Sequence, residues 1–126
     1  MTAHSRPKFL SLLKIKLPLT GVVSILHRIS GVLLVLSLPI IISLFDQSLQ
    51  GPAGFQTSAS FIAQPVTLII AVALIWAVAH HFFAGFRFLL FDLDMAVTKS
   101  KARFAATLVL LASMILTVYM VWWWFK

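Results

Sequence analysis

The sequence contains no cysteine and few charged residues, and both absences restrict what the protein can be. Without cysteine, the chain can form no disulfide, no thiolate metal site and no covalent attachment of a c-type haem. Only 10% of its 126 residues are charged, whereas about 25% of a soluble domain is charged. A soluble domain needs a polar surface, which this composition does not supply.

Apolar residues make up 61% of the chain, and they are concentrated in long runs. Runs of this length are typical of membrane-spanning helices. They predict an all-α membrane protein with three transmembrane helices, at residues 19–45, 61–91 and 104–125. Pro39 predicts a kink inside the first helix, and Pro65 suits the first turn of the second. The tryptophans at 122–124 are interpreted as an interfacial aromatic belt.

The segments between the spans predict how the chain is oriented. Residues 46–60 are rich in Gly, Ser and Pro and are predicted to form a loop that can hold a short interfacial helix. This loop lacks Lys and Arg, whereas basic residues flank the other membrane boundary, at Arg6, Lys8, Lys14, Lys16, Lys99, Lys101 and Arg103. The positive-inside rule therefore places residues 1–18 and 92–103 in the cytoplasm and the 46–60 loop in the periplasm. We expect no cleavable signal peptide and no nucleic-acid binding, because the net charge of +7 is explained by orientation.

Polar residues inside a span are functional candidates, because they are costly to bury in lipid. The first helix carries four residues at helical spacing, which predicts that they share one face: Ser24, His27, Arg28 and Gly31. Arg28 offers a fork of donors suited to carboxylates, and Gly31 lets a helix or flat ligand approach closely. The alternative is that Arg28 reaches the interface and His27 bonds a carbonyl.

The second candidate is His81, about 11 residues or roughly 16 Å of helix from Asp92. A neutral imidazole at this depth needs a hydrogen-bond partner or a metal. Gly85 follows one turn later, where a missing side chain leaves room for a porphyrin plane. The sequence alone leaves open a haem ligand or a hydrogen-bonded core histidine. His80 points elsewhere, and Arg87 is interpreted as an interfacial charge.

At these residues the sequence resembles the cytochrome b subunit of succinate dehydrogenase, a membrane anchor of respiratory complex II. One motif is Ser-x-x-His-Arg-x-x-Gly, at residues 24–31. The other is His-x-x-x-Gly-x-Arg-x-x-x-x-Asp, at residues 81–92. Arg6-Pro7 and Pro18 also fit, and the resemblance extends over nearly the whole chain.

The resemblance implies a subunit that is not catalytic alone, within a succinate:ubiquinone oxidoreductase of the tricarboxylic acid cycle and electron transport. His81 matches the axial ligand of a haem b whose iron is shared with a second small anchor subunit. Ser24 and Arg28 match residues of the ubiquinone pocket. His27 and Arg28 match positions near the haem propionates, with Gly31 and Gly85 lining the pocket. The implied partners are the flavoprotein, iron–sulfur and second anchor subunits, together with membrane lipid, in a heteromeric helical bundle of the bacterial inner membrane.

The sequence departs from the family pattern at two places. Phe88 stands where the family often has a second histidine, and Lys8-Phe9-Leu10 replaces a Ser-Pro-His sequence. Three alternatives remain: an anchor of a fumarate reductase that uses menaquinone, a haem-free structural anchor, and a small transporter or channel subunit. The absence of an acidic residue inside a span argues against the last.

Overall fold

The computed structural model describes residues 16–95 and 98–126, which form four α-helices. They are α1 (Leu19–Ser48), α2 (Pro52–Ile62), α3 (Pro65–Asp92) and α4 (Lys99–Trp124). Helices α1, α3 and α4 are each long and apolar enough to cross a membrane. The predicted all-α membrane protein with three spanning helices is thereby confirmed. Some sequence predictions concern residues outside the described ranges and stay predictions, namely those for Arg6-Pro7, Lys8-Phe9-Leu10 and Lys14.

The chain between the first two spans is more helical than the sequence predicted. Helix α1 continues beyond residue 45 to Ser48, and α2 occupies most of the 46–60 segment. The second span was predicted to begin at residue 61, but in the structure α3 begins at Pro65. Proline lacks the N–H that a continuing helix needs, and it is tolerated in a first turn. Pro52 opens α2 in the same way.

Helix α2 folds back against the end of α1 through close backbone packing. Gly51 adopts a φ of 93° before α2 begins, a conformation that favours glycine. The Ser58 hydroxyl lies 3.2 Å from both the Leu44 carbonyl oxygen and Gln47 Oε1, and donates to them. A side chain at Gly54 would collide with the Gln47 carbonyl oxygen. The segment is therefore packed against the bundle.

Helix α3 is central, since it packs against both α1 and α4. The residues buried between the helices are mostly small, including Ala77, Ala84, Ala106, Ser30 and Ser113. Small residues allow the close helix approach that is typical of membrane bundles. Most large apolar side chains face outward instead, including Val35, Ile69, Phe82, Ile115 and Trp123. A surface of this kind suits lipid or other membrane helices, and the chain is a multi-pass membrane protein.

Candidate functional site

Helices α1 and α3 run antiparallel, and the candidate residues meet where the two helices cross. The rings of His27 and His81 are stacked, with centroids 4.1 Å apart and planes inclined by 21°. Each histidine is followed one turn later by a glycine, Gly31 on α1 and Gly85 on α3. In an antiparallel pair this repeated spacing sets each imidazole against the glycine of the other helix. The structure thus joins His27 and His81, which the sequence placed in separate clusters.

The two glycines differ in how tightly an imidazole lies against them. A Cβ atom at Gly31 would lie 2.9 Å from His81 Cε1, closer than real side-chain contacts allow. A Cβ atom at Gly85 would lie 3.8 Å from His27 Nε2, which is an ordinary contact distance. The space at Gly31 is therefore filled by the His81 ring. The space that Gly85 was predicted to leave for a porphyrin faces His27.

The hydrogen bonds of His81 identify the protonated ring nitrogen. Its Nδ1 lies 3.1 Å from the His27 carbonyl oxygen and 3.1 Å from Ser30 Oγ. A carbonyl oxygen can only accept, so Nδ1 carries the proton and donates it. The Ser30 hydroxyl donates to the same carbonyl at 2.8 Å. The lone pair of His81 is consequently on Nε2, which no described residue hydrogen-bonds.

Ser30 is the residue that the sequence analysis left without a role. It is fully buried on α1 and contacts His81 on α3. The available signal was a small hydroxyl side chain one turn after His27 inside a span. That signal is weak, because buried serines in membrane helices often bond only their own backbone, as Ser37 does.

The predicted common face of α1 divides into two parts in the structure. His27 and Gly31 face α3, whereas the Arg28 side chain is exposed and Ser24 is partly buried. Ser24 and Arg28 are one helical turn apart and therefore lie on neighbouring surface. Neither side chain hydrogen-bonds another residue within 16–95 and 98–126. Both polar groups are thus free to bind something outside the described part of the chain.

The other polar residues of α3 are more buried than predicted. His80 is fully buried and stacks on Trp76 with centroids 5.1 Å apart, and among the described residues its ring nitrogens make no hydrogen bond of good geometry, only a weak contact with the Val23 backbone. Arg87 is only 4% exposed, which corrects its interpretation as a plain interfacial charge. Its guanidinium lies 4.5 Å from the Phe91 ring centroid, a cation–π distance. Aromatic rings pack against both side chains.

Phe88, the departure from the family pattern, contacts the site directly. Its ring centroid lies 5.3 Å from that of His27, with the planes inclined by 43°. The Arg87 guanidinium also lies 5.8 Å from the Phe88 ring. Phenylalanine therefore supports the His27 ring by apolar packing at a position where a second imidazole would have offered hydrogen bonds.

The fold and the site together define a multi-pass helical membrane protein with an oriented imidazole between two of its helices. The family of succinate dehydrogenase/fumarate reductase transmembrane subunits matches residues 2–120, and the chain belongs to this family. The succinate dehydrogenase cytochrome b556 subunit of Coxiella burnetii is 31% identical over 121 residues, covering 94% of this chain and 97% of that subunit. The Paracoccus denitrificans subunit of the same name is 26% identical over 103 residues, covering 82% and 79%. The resemblance inferred from the two motifs is confirmed.

The glycine contacts predict that two similar substitutions will have different effects. In Gly31→Ala the new methyl group must displace the His81 ring, and such overpacking costs about 1–3 kcal/mol. In Gly85→Ala the methyl group fits, and alanine favours a helix over glycine by up to about 1 kcal/mol. We expect a lower thermal unfolding midpoint for Gly31→Ala than for Gly85→Ala in protein purified in detergent with its bound partners. Equal midpoints, or the reverse order, would contradict the packing described here.

Proposed function

We propose that this chain is the haem-binding membrane anchor of a succinate:ubiquinone oxidoreductase, with His81 as an axial ligand of haem b. The observation that carries the proposal is the tautomer of His81, whose Nδ1–H donates to the His27 carbonyl and leaves the Nε2 lone pair available. Histidines that bind metals are usually oriented in this way by a hydrogen bond from the other ring nitrogen. The names of the two relatives, each a cytochrome b556 subunit, agree with the cofactor.

The donor set fits haem better than a free metal ion. Residues 16–95 and 98–126 contain no cluster of three or more His, Cys, Asp or Glu that could hold a metal ion. A haem iron needs only an axial ligand from each side, and its porphyrin supplies the remaining four. When bound, haem b supplies a one-electron iron couple. His81 would provide one of these ligands, and we propose that a second small anchor subunit would provide the other.

The remaining members of the predicted site have roles that follow from their chemistry. We propose that His27 and Arg28 bind haem propionates, since a cation or an imidazole donor stabilises a carboxylate. Gly31 holds the His81 ring close to α1, and Gly85 gives space beside His27. These residues would orient the ligand and the charged edge of the cofactor.

Ser24 and Arg28 are proposed to form part of the ubiquinone site. The Ser24 hydroxyl can donate a hydrogen bond to a quinone carbonyl. The Arg28 guanidinium can stabilise the negative charge that develops as the quinone accepts electrons, an electrostatic contribution. Both groups are available for such contacts, since no described residue hydrogen-bonds either one.

Because the chain has no cysteine to hold an iron–sulfur cluster, we propose that it works together with partner subunits. Succinate would be oxidised on the flavoprotein subunit, and electrons would pass through an iron–sulfur subunit to quinone at the cytoplasmic face. We propose that the chain lies in the bacterial inner membrane with its N-terminus in the cytoplasm, as its basic residues indicate. The family also includes fumarate reductase subunits, whereas both relatives reported above are succinate dehydrogenase subunits.

Replacing His81 tests the ligand assignment. We expect His81→Ala to abolish the low-spin bis-imidazole signal of the haem in the purified complex, because one axial ligand is removed. The adjacent His80 provides the control. Its ring nitrogens make no hydrogen bond of good geometry among the described residues, so an apolar side chain of similar size should be tolerated. His80→Leu should therefore keep the wild-type spectrum, and an unchanged spectrum in His81→Ala would refute the assignment.

Removing the Ser24 hydroxyl tests the quinone site. We expect Ser24→Ala to slow succinate-driven reduction of ubiquinone by about five- to tenfold, since a hydrogen bond contributes about 1 kcal/mol. Reduction of an artificial dye by succinate should be unchanged, because the dye takes electrons before the quinone site. An equal loss of both activities would indicate faulty assembly and would argue against a role for Ser24 in quinone binding.

The lack of cysteine makes the orientation easy to test with single substitutions. Gln56 is an exposed residue of α2, and Ser100 is an exposed residue at the start of α4, so each can be replaced by cysteine. A maleimide that cannot cross the inner membrane should label Gln56→Cys in intact cells. It should label Ser100→Cys only after the membrane is opened. The reverse pattern of labelling would overturn the proposed orientation.

A further inference from the structure

Ser30 makes two contacts with one hydroxyl group, and only one of them belongs to its own helix. Its Oγ donates to the His27 carbonyl oxygen at 2.8 Å and lies 3.1 Å from Nδ1 of His81 on α3. The residue is fully buried, so its hydroxyl is shielded from water, whereas the His81 ring is partly buried. Ser30 therefore links the backbone of α1 to the imidazole of α3.

The directions of these hydrogen bonds follow from the chemistry of the groups. The proton of Ser30 is engaged by the His27 carbonyl, which leaves the hydroxyl oxygen free to accept. The proton of His81 Nδ1 therefore has two acceptors at 3.1 Å, the His27 carbonyl and Ser30 Oγ. Moving this proton to Nε2 would set the Nδ1 lone pair against the carbonyl oxygen. The carbonyl, which can only accept, therefore favours the Nδ1–H tautomer, and Ser30 Oγ offers the same proton a second acceptor while its own proton is bound to that carbonyl.

We infer that Ser30 is a positioning residue that holds His81 as the Nδ1–H tautomer and raises the electron donation of Nε2. The inference rests on the proposed function, because its effect is read through a metal bound at Nε2. A hydrogen bond from Nδ1–H makes imidazole a stronger donor, which stabilises ferric over ferrous iron and lowers the reduction potential. Ser30 would therefore contribute to setting the potential of the haem.

A second serine on α1 separates this role from an ordinary helical one. Ser37 is also buried, and its hydroxyl donates to the Leu34 carbonyl at 2.8 Å, the same bond that Ser30 makes to His27. Ser37 makes no hydrogen bond to an imidazole among the described residues. Ser37→Ala therefore removes the same intrahelical bond and the same atom without changing the surroundings of His81.

The test is a redox titration of the haem in the assembled complex carrying Ser30→Ala or Ser37→Ala. We expect Ser30→Ala to weaken the preference for ferric over ferrous haem by up to about tenfold. For a one-electron couple, this change raises the midpoint potential by up to about 59 mV. The low-spin electron paramagnetic resonance signal should shift with it. Ser37→Ala should match the wild type in both measurements. Equal potentials in the two variants would overturn the inference.

Two further variants keep the test decisive if Ser30→Ala lowers haem content. Ser30→Thr restores a hydroxyl and should return the potential to the wild-type value. Ser30→Cys keeps the side-chain size but accepts hydrogen bonds weakly, so it should shift the potential in the same direction as alanine. A wild-type potential in Ser30→Cys would assign Ser30 a purely steric role and overturn the inference. Retention of the normal haem spectrum in His81→Ala would instead refute the proposed ligand itself.

Discussion

A polar group inside a bilayer has no water to bind, so the protein itself must supply each hydrogen-bond partner. In this chain the His27 carbonyl oxygen meets that requirement for two side chains, Ser30 on its own helix and His81 on α3. The residue one turn after His27 is Gly31, and its missing Cβ lets the His81 ring approach the α1 backbone. The approach of α1 and α3 and the tautomer of His81 depend on this one cluster of contacts.

The architecture was predictable because it follows from properties that the sequence displays locally. Hydropathy and length predict three spans, and α1, α3 and α4 lie where those runs occur. The bounds were less predictable, since residues 61 and 62 are as apolar as a span but belong to α2. Gln64, which is extended as residues before proline tend to be, separates them from α3. A hydropathy profile does not detect this break between two helices.

The site was predictable in its members but not in its contacts. Helical spacing correctly grouped residues along each helix, yet it contains no information about which residues face each other across two helices. The stacking of His27 on His81 depends on the register of an antiparallel helix pair. The contact of Ser30 with His81 and the burial of Arg87 depend on the same helix register. These features follow from the three-dimensional packing, because a helix-face pattern is compatible with several neighbours.

The contacts also explain why His81, rather than His27, is the better candidate for a metal ligand. His81 has one ring nitrogen bonded to a carbonyl, so its other nitrogen has a defined lone pair. His27 has no such bond to a described residue, and its ring is held instead by stacking on His81 and by packing against Phe88. Stacking restrains the plane of a ring but does not distinguish its two nitrogens. A metal ligand needs both a restrained ring plane and a defined tautomer. In the described part of the chain, the Ser30 hydroxyl and the His27 carbonyl together define the tautomer of His81.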